Sequence, residues 1–351
     1  MIWNAENCTS AGSYSDPIFS GCSKLSSITI GENVKTIPAY AFYCCSRITS
    51  VTIPDGVTSI GNNAFSSCSS LTSVTIGNSV TSIGNYAFYS CSSLTSITIP
   101  DSVTFIGDDA FSKCDLLVYN EYDNAYYLGN DTNKYVVLIK AKTTSIASCN
   151  INDSCKIIYN SAFKECSGLT SVTIPDSVTS IGNYAFYKCS SLTSVTIGNG
   201  VTSIGSSAFE GCSSLTSITI PDSVTSIGER AFDGCSGLTS ITIPDYVTSI
   251  GGSAFYGCSR ITSVTIGNSV DSIGWSAFSG CSSLKIVLYK GTIEQWKKIS
   301  IDSYNGYLTS AARYYYSESE PALNSEGTAY DGNYWHYDTD GVTPVIWKKE
   351  N

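Results

Sequence analysis

The strongest constraint on this chain is a repeat of 23 residues. Phenylalanines recur at Phe19, Phe42, Phe65, Phe88 and Phe111, and again at Phe163, Phe186, Phe209, Phe232, Phe255 and Phe278. A cysteine follows each one at the third position, from Cys22 to Cys114 and then from Cys166 to Cys281. A fixed period of this size implies stacked coils, one coil per repeat, with each coil touching only its neighbours.

The copy at 163–186 shows what one coil does. Its apolar positions are Phe163, Cys166, Leu169, Val172, Ile174, Val178, Ile181 and Ala185. Strict alternation puts Val172 and Ile174 on one face of a short strand and leaves Thr170, Ser171 and Thr173 outside. Pro175-Asp176 ends the strand, because proline has no N–H to give a ladder. Val178 to Ile181 reads as a second extended piece. Gly182 is expected to take a positive φ, and 183–186 returns the chain as a tight or helical turn. Burying eight side chains falls short of the entropy lost in ordering one coil, so stacking is obligatory.

Composition narrows the class. With 351 residues, a net charge of −10 and only 14% charged residues, nucleic acid and anionic membranes are poor partners. No apolar run reaches membrane-spanning length. The first residues, MIWNAENCTSAG, have neither a basic nor an apolar leader region. Ala11, Tyr14, Ile18 and Phe19 keep repeat register while Asn7 takes a core slot, as in a chain cut from something longer. Fifteen cysteines would suggest a disulfide framework, but eleven form a single column. Coils about 4.8 Å apart exceed the Cβ spacing of about 3.8 Å that a bridge prefers, so the column reads as buried free thiols. Cys8, Cys44, Cys149 and Cys155 lie outside it, their redox state open. No zinc spacing occurs, His336 is the sole histidine, and no metal or other cofactor is expected.

Five segments follow. Residues 1–18 are a degenerate lead-in, 19–117 a first repeat block, and 118–162 an inserted hairpin with a degenerate repeat. Residues 163–289 are the second block, and 290–351 hold a cap helix and an aromatic β tail. In 140–162, Ile146, Cys149, Ile151, Cys155, Ile158 and Ala162 fall in core slots. Ahead of it, 125–128 and 135–139 flank the turn-rich 129–133 as a β-hairpin. After Tyr289 the register is expected to stop, and a helix at 292–299, with Ile293, Trp296 and Ile299 on one face, to cover the last coil.

The unit C-S-S-L-T-S-[IV]-T-I-P-D-S-V-T-S-I-G-x-x-A-F resembles the BspA-like leucine-rich repeat proteins over roughly 19–289. The resemblance implies a curved solenoid, secreted or displayed at a cell surface, with some relatives acting as adhesins. It brings no catalytic residues. The fold class expected is a right-handed leucine-rich-repeat solenoid with short parallel β-strands, mostly β and loop, with one hairpin insertion and a small C-terminal helix and β tail.

The expected function is non-enzymatic recognition or adhesion at the cell exterior, toward host protein, other cells or glycan, by a monomer. The alternative is a purely structural spacer that displays another domain. The outward strand face, with Thr173, Ser194, Thr196, Ser217, Thr219, Ser240, Thr242 and Thr265, is the candidate binding surface. Exposed strand positions suit serine and threonine without any ligand, so this pattern alone does not separate the two readings. Specificity is expected where the repeat is broken, with Tyr126, Tyr127, Tyr246, Trp275 and Trp335 as aromatic anchors. An enzyme is the weakest class, since His336 has no nucleophile near it in sequence and no phosphate loop or metal motif occurs.

Overall fold

A regular coil such as that at 163–186 forms one long and one short strand because its Ser-Val-Thr-Ile and Ser-Ile segments alternate in polarity. In Ser171–Ile174 the burial alternates with the residues, Val172 and Ile174 inward and Ser171 and Thr173 outward. The structure, a computed structural model, describes residues 2–3, 19, 21–326 and 328–348. Asn7, Cys8, Ala11, Tyr14 and Ile18, assigned above to a decayed lead-in, lie outside the described residues.

The chain forms two compact units. The first holds Met1–Lys142, Ile151–Ala162 and Ser177–Ser180. The second holds Thr143–Asn150, Phe163–Asp176 and Ile181–Asn351. Both are β-solenoids. In the first, Ser50–Ile53, Ser73–Ile76 and Ser96–Ile97 pair in parallel, as do Thr36–Ile37, Ser59–Ile60, Ser82–Ile83 and Phe105–Ile106. In the second, Ser171–Ile174, Ser194–Ile197 and Ser217–Thr219 form one parallel ladder. Residues of equal repeat position face each other, Val172 beside Val195 and Thr173 beside Thr196. Register is therefore held by the repeat itself.

On the side opposite the strands the chain turns twice within a few residues. Each turn uses one left-handed residue: Tyr184 and Lys188 in one coil, Ser207 and Gly211 in the next, Arg230 and Gly234 after that. Between these turns Phe186 N–H donates to Ala208 O at 2.7 Å, joining coil to coil. The expectation for Gly182 is corrected here. Neither it nor any other Ile-Gly glycine has a positive φ, and the turn residues carry that conformation instead. The glycine is needed for closeness: a Cβ on Gly205 would lie 2.6 Å from Gly182 C.

The phenylalanine and cysteine columns form the core as the period requires. In the second unit the rings from Phe163 to Phe278 stack with centroids 5.0–5.4 Å apart. Each carbonyl from Phe163 to Phe255 accepts twice. Phe186 O takes the Cys189 N–H of its own coil and the thiol of Cys212 from the next, at 3.1 Å each. Cys235, Cys258 and Cys281 repeat the thiol bond. The described cysteines are free thiols, Cys149 and Cys155 buried in core slots and Cys44 partly exposed. Burial pushes the Cys212 and Cys281 thiols up to about 12.

Where the repeat breaks, the ladder is extended. In the first unit Asn120–Tyr122, Ala125–Leu128 and Val137–Ala141 form an antiparallel meander, and Val137 and Leu138 then pair in parallel with Ile157 and Ile158. Leu128, Val136, Val137 and Ile139 join the core, so the insertion takes part in the stack. Tyr159 anchors it: its hydroxyl donates to Gly107 O and accepts Ala110 N–H, both at 2.9 Å.

The expected stop at Tyr289 is also corrected. The capping box of Thr292 and Gln295 is present, but the helix is only Ile293–Trp296. Ser300–Ile301 then pairs with Ser272–Ile273, and Ala312–Tyr316 with Ile286–Tyr289. Tyr334–Tyr337 follows in parallel and Pro344–Ile346 in antiparallel, which ends the parallel ladder. In the coil that follows, the Asn305 side chain takes the place of a backbone partner: it accepts Phe278 N–H and donates to Gly274 O and Asp302 O.

The two kinds of glycine separate experimentally. Gly228→Ala, whose Cβ would meet Gly205 and Ser206 backbone at 2.6 Å, should cost about 3 kcal/mol. Gly234→Ala, with its nearest neighbour 3.7 Å away and a φ of +69°, should cost about 1 kcal/mol. Thermal melts of both variants check this. The thiol column adds a pH signature. The folded chain keeps protons that unfolded thiols, near the ordinary 9.0, release. Stability from this source is full below about pH 9 and falls as pH rises toward 12. Melting midpoints under reducing conditions should drop between pH 8 and pH 10.5, and drop less in a Cys212→Ala, Cys235→Ala variant.

Candidate functional site

In the second unit the in-register ladder places Thr173, Thr196 and Thr219 in one outward column and Ser171, Ser194 and Ser217 in a parallel one. Ser240 and Thr242 are exposed in the same way. Thr265 is different. It is 8% exposed, and although it pairs with Thr242 on one side, its partner on the other is Leu288 in place of a threonine, so it leaves the candidate face. The first unit carries a shorter version: Thr52 and Thr75 are exposed, while the Thr98 hydroxyl accepts Ile76 N–H at 3.0 Å.

Flanking threonines do other work. Thr193 Oγ1 donates to Thr170 O at 3.0 Å, Thr216 Oγ1 to Thr193 O at 3.4 Å and Thr225 Oγ1 to Thr202 O at 3.2 Å. In the first unit Thr72 and Thr95 do the same toward Thr49 and Thr72. These hydroxyls bridge coils, each worth roughly 1 kcal/mol. Threonine is thus frequent here for two reasons, and only the strand-face columns offer a surface.

The aromatic candidates divide sharply. Tyr246 is 67% exposed and Trp275 53% exposed. Tyr126 is half-buried, its ring 5.7 Å from Tyr119 and 5.9 Å from the ammonium of Lys140. Tyr127 and Trp335, expected as anchors, are fully buried. Tyr127 packs edge-on against Tyr122 and Tyr135 and its hydroxyl accepts Asn152 N–H. The meander turns that face of the strand into the core. Trp335 packs against Tyr316 and Tyr337, and its indole N–H donates to Tyr289 O at 3.0 Å. Both rings are structural.

Two exposed tyrosines that the sequence reading missed follow in the next coil. Tyr304, 69% exposed, meets the Trp275 ring edge-on at 5.5 Å, and Tyr307 is 45% exposed. The signal for them is the continued register: Ser276 N–H donates to Ser303 O just as Ser253 N–H donates to Trp275 O. That places Tyr304 in the left-handed turn slot of one more coil, at φ 65°.

Among the described residues no cluster of three His, Cys, Asp or Glu side chains is placed to hold a metal ion. His336 Nδ1 lies 2.7 Å from Tyr337 O and its ring 4.1 Å from Trp347. Asp233 is raised to about 6, by burial first and then by the neighbouring Glu210 carboxylate, with Arg230 opposing. Among the described residues no helix is long and apolar enough to cross a membrane.

The repeat geometry agrees with a family model. The BspA type leucine rich repeat region matches residues 6–133, 141–223 and 202–305 in six copies. The chain belongs to this family. Among solved structures, a leucine rich cell surface protein from Faecalibacterium prausnitzii is 33% identical, over 81% of this chain and 78% of that one, with a TM-score of 0.41. A leucine-rich repeat protein from Bacteroides ovatus is 28% identical over 90% and 92%, with a TM-score of 0.35. The leucine rich repeat protein of T. pallidum is 26% identical over 47% of this chain and 77% of its own, with a TM-score of 0.43. No curated protein matches the sequence.

Two tryptophans test the division between core and surface in this BspA-type protein. Trp335→Ala should cost about 4 kcal/mol, and Trp275→Ala should stay within about 0.5 kcal/mol of the parent. Denaturant unfolding of the two variants measures both.

Proposed function

We propose that this BspA-type chain is a non-enzymatic recognition module that works at the cell exterior and binds a protein partner along the outward strand face. The observation that carries the reading is the aligned, exposed serine and threonine surface of the second unit, from Ser171 and Thr173 to Ser240 and Thr242. It is broad, uncharged and shaped by backbone rather than by mobile side chains, so a partner meets a surface that loses little entropy on binding. Tyr246, exposed in the turn that follows Ile243, supplies an aromatic contact of the kind that dominates protein interfaces. Family membership supports the exterior location and the partner class.

The test uses the whole chain against immobilised extracellular-matrix proteins and against cultured cells. A variant carrying Thr196→Glu, Thr219→Lys and Thr242→Glu alternates charge along the ladder, which avoids like-charge repulsion between coils. Binding should fall by about tenfold or more with the melting temperature unchanged. Binding that survives in this variant overturns the strand face as the recognition surface.

A further inference from the structure

The aromatic cluster after the second block is a different kind of site. A groove of about 550 Å³ opens beside the short helix Gly306–Ser310, lined by Ser279, Leu284, Tyr304, Gly306, Tyr307 and Ser310 among others. Its size falls in the range of small-ligand sites. Trp275 stands next to the groove, its exposed ring edge-on to the lining residue Tyr304. The groove arises because the coil at 300–311 keeps the turn register through Tyr304 but replaces the Phe-x-x-Cys turn by this helix. Leu308 covers the core, and the two tyrosines and the indole are left outside.

The chemistry of the walls selects a ligand class. Among the described residues no charged side chain lines the groove, whereas the second unit's cavity near Tyr184 is rimmed by Glu210, Glu229 and Arg230. An ion placed in the uncharged groove would lose hydration without a partner. A peptide in extended form would want an open strand edge, and this wall is a helix and a turn. What the groove offers is an aromatic lining from Tyr304 and Tyr307 together with the hydroxyl-bearing residues Ser279 and Ser310. A pyranose ring matches both: its C–H face lies on an aromatic ring and its hydroxyls exchange hydrogen bonds with those of the lining. We propose that Trp275, Tyr304 and Tyr307 form a binding site for a neutral saccharide, independent of the strand face.

The whole chain is titrated with cellotetraose, mannotriose, chitotriose and a galactose disaccharide, and with a sulfated heparin tetrasaccharide, by calorimetry and saturation-transfer NMR. At least one neutral oligosaccharide should bind. Trp275→Ala and Tyr304→Ala should each weaken it about tenfold or more, with Tyr246→Ala and the melting temperature unaffected. Because Trp275, Tyr304 and Tyr307 are exposed, these variants fold, and loss of binding reports on contact. The proposal is overturned if no neutral oligosaccharide binds, if only the sulfated one does, or if both variants bind like the parent. Strand-face variants leave this binding intact, so the two readings fail separately.

Discussion

Hydrogen bonding between neighbouring coils is the constraint on which this protein depends. A coil cannot satisfy its own backbone: Phe186 N–H needs Ala208 O, and Thr193 N–H needs Thr170 O, each in an adjoining coil. The side chains obey the same rule. A Cys thiol completes the Phe carbonyl of the coil before it, and a Thr hydroxyl completes a Thr carbonyl. Identity between coils is therefore a physical requirement, because any coil that shifts by one residue loses its backbone bonds, its ring stacking and its thiol bonds together.

The same dependence makes every interruption costly, and the structure shows how each is met. Tyr159 reaches Gly107 and Ala110 with one hydroxyl where the insertion separates the regular coils of the first unit. Asn305 uses its amide as both carbonyl and N–H beyond Phe278. Trp335 closes the core behind Tyr289, and Pro344–Ile346 reverses the strand direction. An antiparallel final strand beginning with proline offers a poor template for further parallel coils. These positions also hold the chemical variety of the chain. Regular coils repeat one surface, whereas the breaks bring Trp275, Tyr304 and Tyr307 together.

Several features were legible in the residues. The Phe column from Phe42 and the Cys column from Cys45 onward, the inward Val and Ile of the regular strands, and the hidden coil of Ile146, Cys149, Ile151, Cys155, Ile158 and Ala162 occupy the buried positions their spacing assigned. The capping box at Thr292 and Gln295 formed. Others were not legible because they depend on what lies one coil away. Gly182 looked like a turn residue, but its slot is dictated by backbone approach between coils. Tyr127 and Trp335 carry the composition of surface anchors, and only the meander and the last parallel strand turn them inward. Thr265 has the same local sequence as Thr196, yet on one side its ladder partner is Leu288 in place of a threonine.

The sequence by itself determined the coil: its length, its two strands, its core slots and the need to stack, since a periodic pattern of apolar residues leaves one face that only another copy can cover. Tertiary structure decided what happens where the copies end. There the partner of a residue lies beyond the period, in an amide, a hydroxyl or an indole supplied from 27 to 52 residues away. Local pattern carries no information about such a partner. For that reason the buried anchors, the continued ladder and the aromatic groove emerged only with the fold.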